Sequence, residues 1–140
     1  AKDKLHQALS DGRAYHKFLE LVKAQKGDVN SIQNPESLLS ENTIPVLALT
    51  SGYLMDINAL DIGRAAMRLG AGREKKEDTI LFDVGIDLHK KIGDYVNKGD
   101  KLATLYVRNK GIEEAKELVL KGITIGSQKR NLLLIRKTIK

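Results

Sequence analysis

The segment most informative about the fold is Gly93-Asp94-Tyr95-Val96-Asn97-Lys98-Gly99-Asp100-Lys101-Leu102. A Gly-Asp pair stands on each side of the short segment Tyr95-Val96, and the second pair leads into an apolar run at residues 102–107. Glycine adopts backbone angles that a Cβ disfavours, and aspartate accepts hydrogen bonds from nearby N–H groups, so each pair is typical of a turn. The pattern predicts turn, strand, turn and strand, with Gly93, Asp94, Gly99 and Asp100 as structural turn residues.

This stretch resembles the G-D-x-V-x-x-G-D-x-L pattern of the biotinyl/lipoyl-type barrel-sandwich hybrid, a small flattened β structure. Some proteins carry a covalent cofactor on this fold, and others use it as architecture. In biotin carriers the modifiable Lys follows the second Gly of the pattern within an E-A-M-K run. That position is Asn109 here, and Lys110 is one place off. A non-catalytic biotinyl/lipoyl-like carrier or binding module is therefore kept only as the alternative function.

Hydrophobic periodicity predicts the other elements of the chain. Helices are predicted around Leu5 and Ala8, over residues 13–25, from Asp56 or Asn58 to Leu69, and over residues 112–121. Strands are predicted at residues 46–50, 52–55, 79–84, 95–96, 101–107, 123–125 and 132–139. The predicted fold class is α+β: two helices, then a C-terminal α/β region that includes a barrel-sandwich-hybrid β structure.

A polar segment at residues 28–42 separates two parts of the chain. It contains Asn34-Pro35 and several Ser and Asn residues without sustained periodicity, which is typical of a surface loop or a linker. We place a domain boundary there. Residues 1–41 are predicted to be two helices of a preceding domain plus the loop, and residues 42–140 to be the C-terminal domain.

Composition excludes several classes of function. The chain has no Cys, which rules out disulfides, thiolate zinc sites and a cysteine nucleophile. The apolar stretch at residues 44–49 is far shorter than the roughly 20 residues that cross a bilayer, and no signal-peptide pattern opens the sequence. The formal net charge of +6 is interspersed with acidic residues instead of clustered. We expect a cytoplasmic protein without membrane or nucleic-acid partners.

Side chains with catalytic potential are scattered. The segment Gly70-Ala71-Gly72-Arg73 can in principle bind an anion, but it follows a helix where phosphate loops precede one, so a helix C-cap and turn is the favoured interpretation. The histidines His6, His16 and His89 lack the spacing of a metal site. We predict no catalytic, substrate-binding or metal-binding residue in this chain, and no cofactor.

Three stretches together resemble a narrower family. They are residues 5–28, with Ala14-x-x-x-Phe18 and Val22-Lys23-Ala24-Gln25-Lys26-Gly27-Asp28; residues 52–80, with Gly52-Tyr53-Leu54 and Ala66-x-x-Leu69-Gly70-Ala71-Gly72-Arg73; and Val84-Gly85-Ile86 with the Gly-Asp pattern. In that order and spacing they look like the last third of bacterial pyrimidine-nucleoside and thymidine phosphorylases. The similarity covers nearly the whole chain.

The resemblance implies a full-length pentosyltransferase that cleaves a pyrimidine nucleoside with inorganic phosphate, giving the free base and a pentose 1-phosphate. Phosphate would be a co-substrate, and the phosphate loop and pyrimidine-binding residues would lie upstream. The chain would then be a structural and domain-closure portion that is inactive alone. Its partners would be the helical and central domains of the same enzyme, in a homodimer at full length; the oligomeric state of this chain alone stays open.

Overall fold

The computed structural model describes residues 1–130 and Lys137. The chain divides into two compact units, Ala1–Leu38 and Leu39–Lys140. Helices and antiparallel sheets occur together, so the α+β class predicted from the sequence is confirmed. The division lies a few residues before the predicted domain boundary, which stays a prediction. The strand predicted at residues 132–139 lies outside the described residues apart from Lys137.

The first unit is helical throughout. It contains α1 (Lys2–Ser10), α2 (Arg13–Ala24), α3 (Val29–Gln33) and a 3₁₀ turn at Pro35–Leu38. The irregular loop predicted after residue 27 is thus partly helical. Asp28 explains the start of α3, because its carboxylate accepts hydrogen bonds from the Asn30 N–H (2.9 Å) and the Ser31 hydroxyl (2.7 Å). Both bonds hold the pKa of Asp28 below its ordinary value, with the Ser31 bond the larger cause.

The second unit contains two three-stranded antiparallel sheets. Its described elements are β1 (Thr43–Leu47), β2 (Gly52–Ile57), α4 (Ala59–Leu69), β3 (Gly85–Leu88), β4 (Tyr95–Val96), β5 (Lys101–Tyr106), α5 (Ile112–Gly122) and β6 (Ile123–Gly126). One sheet has the strand order β1-β5-β3, and the other has the order β4-β2-β6.

Helices α4 and α5 pack against each other in antiparallel orientation. At each end of the pair, the backbone of one helix comes close to the backbone of the other. The Asn58 side chain caps α4 by accepting from the N–H groups of Leu60 (3.0 Å) and Asp61 (3.3 Å). At the same end, the Asn58 N–H donates to the Gly122 carbonyl (2.8 Å). At the other end, a Cβ on Gly111 would lie 2.2 Å from the Arg68 carbonyl oxygen, so only glycine fits there.

The larger core lies between the helix pair and the sheet β1-β5-β3. Strand register places Ile44, Leu105 and Ile86 in one row and Val46, Ala103 and Leu88 in the next. These rows meet Ala65 and Leu69 of α4 and Ala115 and Val119 of α5. The small alanines on both helices and on β5 allow the layers to approach closely.

A second, smaller core belongs to the other sheet and consists of Ala48, Leu54, Val96 and Leu102. Leu102 and Ala103 are adjacent on β5 and point to opposite faces of the strand, so β5 contributes to both cores. Val96 and Leu102 are fully buried in this core, with 0% and 2% of their surface exposed.

The strand predicted at residues 79–84 is wrong: this segment is a loop, and the strand is Gly85–Leu88. The loop's polar and apolar groups have other partners. The Leu81 N–H donates to the Gly70 carbonyl (2.9 Å), the Asp83 carbonyl accepts from the Ser40 N–H (2.7 Å), and Phe82 is 89% exposed. The β-branched and aromatic composition thus indicated a strand where tertiary contacts dictate a loop.

The strand predicted at residues 46–50 begins earlier, at Thr43, and includes Pro45. Proline cannot donate a ladder hydrogen bond and is confined to edge strands or bulges. In the described part of the chain β1 pairs with β5 alone, and a register shift lies between Val46 and Leu47. The edge position explains why proline is tolerated inside this strand.

Candidate functional site

The two Gly-Asp pairs form two turns of the same construction. In the first, the Asp94 N–H donates to the Lys91 carbonyl (3.0 Å), and the Asp94 carboxylate accepts from the Lys91 N–H (2.8 Å). In the second, the Asp100 N–H donates to the Asn97 carbonyl (3.0 Å), and its carboxylate accepts from the Asn97 N–H (3.0 Å). Each turn is therefore closed twice by its aspartate. We call residues 91–100 the double turn.

Glycine occupies the third position of each turn at a positive φ, 96° for Gly93 and 92° for Gly99. Type II turns require such a φ at this position, where an L side chain is strained. The sequence signal for the double turn is thus physical: glycine supplies the backbone angle, and aspartate closes the ring of hydrogen bonds.

The double turn forms backbone hydrogen bonds with an earlier part of the chain at two corresponding positions. One position lies shortly before β2, and the other lies within it. The Gly93 N–H donates to the Leu54 carbonyl and the Leu54 N–H to the Asp94 carbonyl, both at 2.8 Å. The Gly99 N–H donates to the Ala48 carbonyl and the Ala48 N–H to the Asp100 carbonyl, also at 2.8 Å. The gripped residues, Ala48 and Leu54, are members of the smaller core. The double turn therefore closes this core and fixes the register of β2 against β4.

A third turn, at residues 75–78, is closed by an aspartate in the same way but contains no glycine. The Asp78 N–H donates to the Lys75 carbonyl (3.1 Å), and the Asp78 carboxylate accepts from the N–H groups of Lys75 and Glu74 (both 3.0 Å). These backbone bonds, the Lys75 bond foremost, hold the pKa of Asp78 below its ordinary value. Sequence inspection missed this turn because no glycine marks it.

The segment Gly70-Ala71-Gly72-Arg73 is the C-terminal cap of α4. Gly70 has a φ of 104°, and its N–H donates to the Met67 carbonyl (3.0 Å). The Ala71 N–H donates to the Ala66 carbonyl (3.0 Å), which is the bond of a Schellman cap. Two of its N–H groups thus satisfy the helix end, which supports the C-cap interpretation over an anion-binding loop.

His89 belongs to a cross-strand cluster that sequence inspection did not find. Its Nε2 lies 2.7 Å from the Thr104 hydroxyl oxygen, and its Nδ1 lies 3.7 Å from an Asp87 carboxylate oxygen. A hydroxyl, an imidazole and a carboxylate in series resemble a nucleophilic triad. The 3.7 Å separation is too long for a hydrogen bond, however, and the Asp87 side chain is 57% exposed. The cluster is better explained as cross-strand stabilisation of β3 against β5.

Groups suited to a metal ion are not assembled in residues 1–130 or at Lys137: no cluster of three His, Asp or Glu side chains occurs among them. His6 and His16 lie exposed on α1 and α2. The two carboxyl groups with shifted pKa values, Asp28 and Asp78, are each bound in a local cap or turn. Among the described residues, the double turn is the arrangement with the most complete set of hydrogen bonds.

A model of the family described as "Pyrimidine nucleoside phosphorylase C-terminal domain" matches residues 53–126, more than half of the chain. The chain belongs to this family. The match includes the double turn, α4, α5, β3 to β6 and most of β2. The features that define the second unit are thus those of a pyrimidine nucleoside phosphorylase C-terminal domain.

Whole relatives extend the similarity to the first unit. The pyrimidine-nucleoside phosphorylase of Bacillus subtilis (strain 168) is 39% identical over 140 residues, which cover 99% of this chain and 32% of the relative's length. The protein of the same name from Geobacillus stearothermophilus is 38% identical over 128 residues, covering 91% of this chain and 30% of its own length. The chain therefore spans about a third of the length of the curated relatives it matches.

In this phosphorylase C-terminal domain, the carrier-lysine position lies in a loop between a strand and a helix, not at the tip of a β-hairpin. Strand β5 ends at Tyr106, and the loop holding Asn109 leads directly into α5. Gly111 closes this loop against the Arg68 carbonyl, as described above. A carrier presents its lysine on an accessible hairpin, so this geometry favours the phosphorylase interpretation over the carrier alternative.

No helix in the described part of the chain has the length and apolar character needed to span a membrane.

Proposed function

We propose that the chain is the C-terminal portion of a pentosyltransferase that cleaves pyrimidine nucleosides with inorganic phosphate, releasing the free base and a (deoxy)ribose 1-phosphate. The observation that carries the proposal is the alignment of 99% of this chain with a pyrimidine-nucleoside phosphorylase at 39% identity. Phosphate is then a co-substrate, and the chain needs no cofactor of its own. The site of phosphorolysis lies in the part of the enzyme that this chain does not include.

The role of the chain within that enzyme is structural, and it contributes to domain closure. Phosphorolysis competes with hydrolysis, so the reacting nucleoside must be enclosed away from water. A domain that closes rigidly over the nucleoside needs a fixed strand register and helices that are held at their ends. The double turn fixes the register of β2, and the close approach at Gly111 holds the helix pair α4 and α5.

We further propose that the two sheets of the second unit form a barrel-sandwich hybrid of the biotinyl/lipoyl-like type. Two observations support this. The two antiparallel sheets have separate cores, to both of which β5 contributes, and the two Gly-Asp turns form the same pair of backbone hydrogen bonds with Ala48 and Leu54. The full-length enzyme is proposed to be a cytoplasmic homodimer, with its helical and central domains as the partners of this chain.

A chimera tests the proposed function. This chain replaces the aligned third of the Bacillus subtilis phosphorylase, and release of uracil and thymine is measured in phosphate buffer. We expect turnover in the ordinary enzyme range, about 1 to 10³ per second, from the chimera and none above background from the 140-residue chain. A folded chimera that released no base in the presence of phosphate would refute the proposal, as would turnover by the chain alone.

A further inference from the structure

The helices of the first unit expose apolar side chains that residues 1–38 do not bury among themselves. No residue of Ala1–Leu38 is buried, although the unit contains several large hydrophobic side chains. A unit of this size cannot stabilise itself on so little burial, because isolated short helices are marginal in water.

Helix α2 carries the broadest part of this surface. At about 100° per residue, its apolar residues, including Ala24, cover roughly 220° of the helix circumference. Leu19 and Val22, at one side of this arc, are half-buried within the unit. Phe18 and Leu21, at the other side, are 46% and 56% exposed. With Ala24 they form one exposed apolar strip of the helix, flanked by Lys17 and Glu20. We call Phe18, Leu21 and Ala24 the Phe18 face.

We propose that the Phe18 face is the surface onto which the remaining part of the phosphorylase chain docks. The length of the relatives supports this occupant: they align with this chain across the first unit, yet only about a third of their own length is represented here. The inference rests on the proposed function, since it takes the rest of a phosphorylase as the partner.

The charges around the face favour a protein partner of apolar chemistry. Lys17 and Glu20 beside the face carry opposite charges and form an ion pair, so together they add no net charge that would attract a charged ligand. The first 38 residues contain six basic and five acidic side chains, far from the basic excess of a segment that binds anionic lipid or nucleic acid. An uncharged apolar protein surface is the complement that fits.

The experiment uses the 140-residue chain and the chimera described above. Leu21→Asp places a carboxylate in the Phe18 face, and the matched control His16→Asp places one on an exposed position across the same helix. In the chimera we expect Leu21→Asp to lower Tm by about 4 °C or more beyond the control, because the carboxylate is desolvated by the docked chain. In the 140-residue chain, where only helix propensity and the helix dipole distinguish the two sites, we expect a smaller difference in Tm, below about half of that in the chimera.

Leu21→Ala is a milder second variant in case Leu21→Asp prevents folding of the chimera; a smaller loss of Tm in the same direction is expected. Equal Tm values for Leu21 and His16 variants in the chimera would overturn the proposal. So would a Leu21→Asp loss in the 140-residue chain as large as that in the chimera, which would mean that the face is covered within this chain. A chimera that cannot fold even without substitutions would also count against docking.

Two further results would assign the face to another occupant and so overturn the proposal. The first is dimerisation of the 140-residue chain in sedimentation that Leu21→Asp abolishes, which would make a second copy the occupant. The second is binding to phosphatidylglycerol vesicles that the same substitution abolishes. Base release by the unsubstituted chimera reports on the proposed function, whereas the Tm contrast reports on docking, so the two can fail separately.

Discussion

The turns at Gly93 and Gly99 have the same backbone and different surroundings. Both place glycine at a φ above 90°, both are closed by an aspartate, and both grip a buried residue through two hydrogen bonds of 2.8 Å. A Cβ on Gly93, however, would lie 2.9 Å from the Arg130 carbonyl oxygen, whereas a Cβ on Gly99 would have no atom within 4 Å. The local sequence dictates the turn geometry, and only the fold determines how much room surrounds it.

The largest effect expected from this comparison belongs to Gly93→Val. The substitution places a β-branched side chain at a disfavoured φ and forces it against the Arg130 backbone, so that one of the two must shift. We expect a loss of about 4 kcal/mol in the free energy of unfolding, the sum of backbone strain and overpacking. Urea denaturation of the 140-residue chain measures it. A loss no larger than that of the matched Gly99 variant would show that the Arg130 contact does not constrain Gly93.

Gly99→Val isolates the backbone contribution, because the new side chain meets open space. We expect a loss of about 2 kcal/mol from strain alone. Lys98→Ala is the control in the same turn: the Lys98 N–H donates to the Ser51 hydroxyl (2.8 Å), and this bond survives the truncation. Its loss should stay within about 0.5 kcal/mol. Equal stability of the two variants would mean that the turn does not need glycine.

The sequence predicted the double turn because its determinants are local. Glycine at a positive φ and aspartate three residues after the turn begins act within four consecutive residues, so no tertiary information is needed. Helices α4 and α5 were predicted for the same reason, since a capping Asn58 and a regular apolar face are visible in the sequence.

Features that depend on distant residues could not be predicted in this way. The loop around Phe82 was assigned to a strand because the partners of its backbone, Gly70 and Ser40, lie far from it in sequence. The cluster of His89 with Thr104 also depends on pairing between β3 and β5. Because the true strand β3 was missed, Asp87 could not be placed opposite Thr104, and His89 could not be placed directly after that strand.

Replacing the aspartate that closes a turn should lower the free energy of unfolding less than replacing the glycine. Asp100→Ala deletes the acceptor for the Asn97 N–H but leaves the turn's backbone bond in place. The expected loss is about 1 kcal/mol, the usual net value of one hydrogen bond. Asp100→Asn keeps an acceptor oxygen and should lose less. A larger loss for Asp100→Asn than for Asp100→Ala in urea denaturation would contradict this role for the carboxylate.

The smallest effect concerns the third turn, where aspartate closure occurs without glycine and is visible through pH. Backbone N–H groups of Lys75 and Glu74 hold the pKa of Asp78 below its ordinary value of 3.8. The folded chain therefore binds this proton less readily than the unfolded chain. The resulting stability is fully present above the unfolded pKa and is lost as pH falls through the lower folded value.

We expect Asp78→Asn to flatten the decline in unfolding free energy below about pH 4, and Glu77→Gln, a matched charge change in the same turn that leaves both hydrogen bonds intact, to flatten it less. Urea denaturation between pH 5 and pH 2 measures the difference. An unchanged decline in Asp78→Asn would show that this carboxylate gains nothing from closing its turn, and that aspartate closure matters only where glycine sets the backbone.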